Sequence, residues 1–96
     1  MNDKKFIYVL CDELGRFKLG ITNNFSRRIK QIENATGLII KKSYCEETTQ
    51  AYNLEQKLLE YFQNYRLNGT EWIVSGMSFF SLIDIVHSYI EKGKEE

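Results

Sequence analysis

Proline is absent from this 96-residue chain, and cysteine occurs only as Cys11 and Cys45. Two cysteines so far apart are too few for a disulfide framework and are not spaced as a metal knuckle. Both are expected to be reduced, buried thiols that pack as small hydrophobes in a cytoplasmic protein. No apolar run is long enough to cross a membrane, and the opening stretch Met1-Asn2-Asp3-Lys4-Lys5 lacks the apolar run expected of a signal peptide. Repeats, low-complexity tracts and linkers are also missing, so residues 1–96 are expected to form a single domain. Net charge is zero, from 13 basic and 13 acidic residues, which argues against a nonspecific coat for nucleic acid. The charge is unevenly spread, however. Residues 1–48 hold nine Lys/Arg against six Asp/Glu, and residues 49–96 hold four against seven. The basic excess of the first half could face phosphate.

Hydrophobic residues make up 43% and aromatics 14% of the chain, which places it among globular proteins. Residues 5–11 form a near-continuous apolar run rich in aromatic and β-branched side chains, as expected of a strand buried on both faces. Residues 16–22 alternate, as expected of a half-exposed strand. Glu13-Leu14-Gly15 suits a three-residue hairpin loop with Gly15 left-handed. That loop sets a register in which Asp12 faces Arg16, Leu10 faces Lys18, and Tyr8 faces Gly20. Tyr8 and Lys18 then share one face of the sheet, with open space expected beside the tyrosine ring at Gly20.

A helix capped by Asn23 or Asn24 should end near Gly37, with Phe25, Ile29 and Ile32 as its buried stripe. A third strand is expected from Leu38 towards Cys45. Thr48 or Thr49 should then cap a second helix reaching about Tyr65. Asn68-Gly69 signals a turn, and residues 71–74 a short extended piece in which Trp72 covers the core. A last helix is expected over Ser78–Lys92, with Phe79, Ile83, Val86 and Ile90 inward. The order β-β-α-β-α-(β)-α is that of an α+β domain, a small antiparallel sheet flanked by helices.

Helical phase sorts the charged residues. At about 100° per residue, Arg28 lies at the edge of the stripe begun by Phe25, whereas Arg27 projects to water or a partner. On the second helix Ala51, Leu54, Leu58, Leu59 and Phe62 define an apolar arc, and Glu55 falls inside it. A carboxylate there calls for a partner, because an unpaired buried charge costs several kcal/mol. That partner is either a divalent metal ion or an arginine. Taken singly, Tyr8 reads as a strand aromatic, Lys18 as a solvated lysine, and Arg28 with Glu55 as a structural ion pair. His87 reads as a surface residue, and Asp84 and Glu91 as solvated helix positions.

Taken in order, Phe6-Ile7-Tyr8, Lys18-Leu19-Gly20-Ile21-Thr22, Arg28, Leu54-Glu55-Gln56-Lys57-Leu58 and Gly69-Thr70-Glu71-Trp72-Ile73 resemble the GIY-YIG nuclease superfamily. The resemblance is closest to its small T5orf172 and Mug113-like domains. It implies a metal-dependent endonuclease that cleaves nucleic-acid phosphodiesters, DNA ahead of RNA, with Mg2+ or Mn2+. It gives Tyr8 the role of orienting or deprotonating the attacking water. Lys18 would assist Tyr8, whose ordinary pKa is about 10, or hold a phosphate oxygen. Arg28 would stabilise charge on the scissile phosphate, and Glu55 would ligate the metal. Gly20, Thr22 and Arg27 would stand on the substrate side. The chain departs from the family motifs at Phe6, where they have glycine, at Lys18, usually tyrosine, and at Ile32, often histidine. Self-association as a homodimer or a separate partner would supply specificity. The rival reading is a degenerate module that binds nucleic acid or a protein without cleaving.

Overall fold

The sheet begins with the hairpin the sequence calls for. The structure, a computed structural model, describes residues 5–65, 72–73 and 78–95. Strands β1 (Lys5–Asp12) and β2 (Phe17–Thr22) pair antiparallel with Tyr8 opposite Gly20 and Leu10 opposite Lys18. Gly15 closes the turn at φ +82°, a conformation that costs glycine little. Asp12 organises the loop from a buried position. One of its carboxylate oxygens accepts the backbone N–H groups of Leu14 and Arg16 at 3.0 and 2.9 Å. The other accepts from Arg16 Nε at 2.9 Å. A buried carboxylate holding three donors fixes the register locally.

Helix α1 (Phe25–Thr36) follows. Asn24 caps it by accepting the Arg27 N–H, and Gly37 ends it at φ +73° with its N–H bonded to the Glu33 carbonyl. Strand β3 (Ile40–Thr48) pairs antiparallel with β1, and β4 (Trp72–Ile73) with β2, giving the sheet order β3-β1-β2-β4. Helices α2 (Ala51–Tyr61) and α3 (Phe79–Glu95) complete the α+β domain, with a 3-10 turn at Gln63–Tyr65.

The alternation of β1 separates two apolar layers. Ile7, Val9 and Cys11 join Phe17 and Leu19 beneath Leu54, Leu58 and Leu59 of α2, Phe62 at its C-cap, and Phe79, Leu82, Val86 and Ile90 of α3. Tyr8 and Leu10 face the other way and pack under Ile32, Phe25 and Ile29 of α1. The sheet is therefore covered on both sides, which corrects the expectation of a half-exposed β2: Phe17 to Gly20 are all buried. Lys18 and Gly20 lie under α1 rather than in water.

Other differences have local causes. β3 starts at Ile40 rather than Leu38, because Glu13 occupies the backbone of Ile39. The Glu13 N–H donates to the Ile39 carbonyl, and its carboxylate accepts the Ile39 N–H. Neither Thr48 nor Thr49 caps α2. The N-cap is Gln50, and the Thr48 hydroxyl instead accepts the Gln50 N–H in the preceding turn. α2 ends at Tyr61, short of Tyr65, where the chain tightens into the 3-10 turn. In α3 Phe79, Val86 and Ile90 are buried as expected, but it is Leu82 that joins them, with Ile83 only partly covered beside it. The Asn68-Gly69 turn, Glu71 and the Trp72 side chain lie outside the described residues. Both cysteines are free thiols, Cys11 buried and Cys45 half-buried. No helix among the described residues is long and apolar enough to cross a membrane.

Candidate functional site

The register of β1 and β2 and the phase of α1 bring three of the expected site residues together. Arg28 Nε donates to the Tyr8 hydroxyl oxygen at 3.2 Å, and its Nη1 lies 3.4 Å from Gln31 Oε1. Because the guanidinium is the donor, the phenolic proton of Tyr8 points elsewhere. Lys18 projects from the same face, two pairs along the ladder. A cleft of about 180 Å³ opens there, lined by Lys18, Arg28, Gln31, Ile32, Ala35 and Thr36. Two cationic side chains and two neutral hydrogen-bonding ones line a pocket able to receive a phosphate-sized anion. Arg27, one residue before Arg28, is exposed, as its helical phase requires.

The Tyr8 ring occupies the space expected to be open at Gly20. A Cβ on Gly20 would lie 2.3 Å from the Tyr8 hydroxyl oxygen and 2.5 Å from Cζ. Gly20 thus seats the ring by having no side chain, and its bare face is taken by Tyr8. With Phe25 tilted against it at a centroid distance of 6.2 Å, Tyr8 is only 1% exposed. The Thr22 hydroxyl is engaged with the backbone of Asn24, accepting its N–H at 3.1 Å and lying 3.2 Å from its carbonyl oxygen. Thr22 therefore shapes the entry to α1 and the position of Arg28. Ile32 is 4% exposed and part of the core under α1.

Glu55 comes from α2, in the helical layer against the other face of the sheet. It is 7% exposed, inside the apolar arc formed by Leu54, Leu58 and Leu59. No buried side-chain nitrogen or oxygen among the described residues lacks a hydrogen-bond partner. A larger and more open depression of about 420 Å³ is lined by Lys57, Glu60, Tyr61, Gln63 and Tyr89. Its charges are mixed and it holds no arginine, so it is less suited to an anion.

Sequence reasoning missed Gln31 and Thr36 as cleft walls. Their spacing from Arg28 and Ile32 on α1 was available as a signal. It also missed a cluster of Glu46, His87 and Glu91 that joins β3 to α3. There only the four-residue spacing of His87 and Glu91 was visible beforehand.

The fold and the cleft define a small α+β domain with a cationic, polar site on one face of an antiparallel sheet. The model of the T5orf172 domain family matches residues 5–90, and the chain belongs to that family. No curated protein and no solved structure matches the chain. Membership suggests a nuclease-like or nucleic-acid-binding role.

Proposed function

We propose that this protein is a metal-dependent endonuclease of the GIY-YIG type that hydrolyses nucleic-acid phosphodiester bonds, DNA ahead of RNA, in the cytoplasm. The observation that carries the reading is the Arg28–Tyr8 contact of 3.2 Å beside the cleft lined by Lys18 and Arg28. In this reading a backbone phosphate enters the cleft, and Arg28 and Lys18 hold its non-bridging oxygens. Positive charge aimed at oxygens that gain charge in the transition state lowers the barrier. The Tyr8 hydroxyl, held by Arg28, directs the attacking water. It takes up that water's proton only after giving its own phenolic proton to solvent, so that the phenolate is the base. Arg27 reaches the neighbouring backbone from the exposed side of α1, and a second copy or separate partner selects the site.

Glu55 suits a metal by its chemistry. A carboxylate is the hard oxygen donor that Mg2+ or Mn2+ takes, and Mg2+ commonly uses one or two carboxylates with waters and substrate phosphates. Glu55 would hold the ion, which would supply Lewis-acid charge when bound. Glu55 does not line the Lys18–Arg28 cleft, and α2 packs on the other face of the sheet, so the Glu55→Gln comparison below decides the ion's part in the reaction. The remaining chemistry rests on Tyr8, Lys18 and Arg28.

Near-complete burial of Tyr8 favours one rival, a degenerate module that binds nucleic acid or a protein without cleaving. The two readings separate when DNA binding and plasmid nicking are measured on the same preparations, with and without Mn2+, for wild type and Glu55→Gln. The nuclease reading expects nicking only with the ion and only in wild type, with binding kept in both. Binding without nicking in wild type supports the rival. Equal nicking by wild type and the folded Glu55→Gln variant removes Glu55 from the chemistry.

A further inference from the structure

On the far side of the sheet from Tyr8, three side chains converge that the proposed reaction does not use. Glu46 of β3 and His87 and Glu91 of α3 each present one ligand-type atom, and these atoms lie within 4.8 Å of one another. His87 Nδ1 is 2.9 Å from Glu46 Oε1, and His87 Nε2 is 3.6 Å from Glu91 Oε1. The backbone explains the convergence. Tyr44 and Glu46 lie opposite Val9 and Ile7, so they point to the layer that α3 covers. His87 and Glu91 stand four residues apart and so share one helix face.

We propose that Glu46, His87 and Glu91 form a binding site for a borderline divalent transition-metal ion, Zn2+ in kind, separate from the Mg2+ or Mn2+ position proposed at Glu55. One imidazole nitrogen and two carboxylate oxygens are the three-ligand donor set that zinc accepts, with water in the fourth position. Mg2+ prefers an all-oxygen shell, so the nitrogen ligand sets the selectivity. One ligand already has the outer support that metal sites use: the Tyr44 hydroxyl hydrogen-bonds the Glu46 carboxylate. His87 and Glu91 are 52% and 48% exposed at their side chains, which leaves a route for the ion and room for water. The ion would take the place of the proton shared between the imidazole and a carboxylate, so binding releases protons and weakens at low pH. Bound there, it clips the outermost strand β3 to α3. This inference does not depend on the nuclease reading.

The test uses Co2+ as a spectroscopic stand-in, with the intact chain and Cys45→Ser as a control for thiol ligation. Wild type and Cys45→Ser should each bind one equivalent with visible d–d absorption that Zn2+ displaces and excess Mg2+ does not. His87→Ala should lose the signal, and Glu46→Gln and Glu91→Gln should each weaken binding by about tenfold or more. Zn2+ should raise Tm in wild type and not in His87→Ala. The proposal is overturned if His87→Ala, folded by circular dichroism, binds Co2+ as wild type does. It is equally overturned if wild type shows no saturable binding up to millimolar Co2+, or if Mg2+ competes as well as Zn2+.

Discussion

Tyr8 lies across Gly20 so closely that the glycine's missing side chain is part of the tyrosine's seat. A methyl group there would stand 2.3 Å from the hydroxyl oxygen and 2.5 Å from Cζ. Gly20→Ala must therefore push a buried ring out of place, which should cost about 1–3 kcal/mol of stability. Urea denaturation measures this. In a Tyr8→Leu background the same change should cost much less, because the two positions are coupled by contact. Equal costs in both backgrounds would contradict the seating.

Arg27 and Arg28 are neighbours with different surroundings, one in solvent and one on Tyr8. Arg27→Ala should leave folding intact and weaken DNA binding to a similar degree across sequences. The slope of log affinity against log salt should fall by about one, as expected for one lost phosphate contact. Binding titrations over a range of salt concentrations give both quantities.

Asp12 anchors the first hairpin from a 2% exposed position. Asp12→Ala leaves the N–H groups of Leu14 and Arg16 without their acceptor and removes a charge-assisted bond to Arg16 Nε. A loss of about 2–3 kcal/mol is expected, again read by urea denaturation. A cost below about 0.5 kcal/mol would mean that Gly15 alone sets the turn.

The domain should lose stability in alkali. Burial, and next the hydrogen bond to Glu46, hold the Tyr44 hydroxyl above its ordinary value of 10.0. Burial likewise raises the Cys11 and Cys45 thiols above 9.0. The unfolded chain therefore gives up these protons first, so stability is intact below about pH 9 and falls as pH rises. Urea midpoints at pH 8, 9, 10 and 11 should decline, and Tyr44→Phe should flatten the decline above pH 10.

Local signals carried much of this structure. The Gly15 loop set the pairing of Tyr8 with Gly20, Asn24 and Gly37 bounded α1, and the apolar arc of α2 marked Glu55. What was hidden depends on layers. The pattern of Phe17 to Thr22 resembles a half-wet strand, and only the placement of α1 over it buries Lys18. The same placement lets the Tyr8 ring fill the gap at Gly20. The Glu46–His87–Glu91 cluster needs β3 and α3 side by side, a relation that no local spacing states.

The account's central claim is that the Arg28–Tyr8 pair serves phosphodiester cleavage, and single-turnover nicking of supercoiled plasmid with Mn2+ tests it most directly. Wild type, Tyr8→Phe and Arg28→Ala are compared after each is shown to be folded and to bind DNA. The account predicts cleavage by wild type that EDTA stops, and a rate lower by about 100-fold or more in Arg28→Ala, with a marked loss in Tyr8→Phe. Cleavage by Arg28→Ala at the wild-type rate would contradict it.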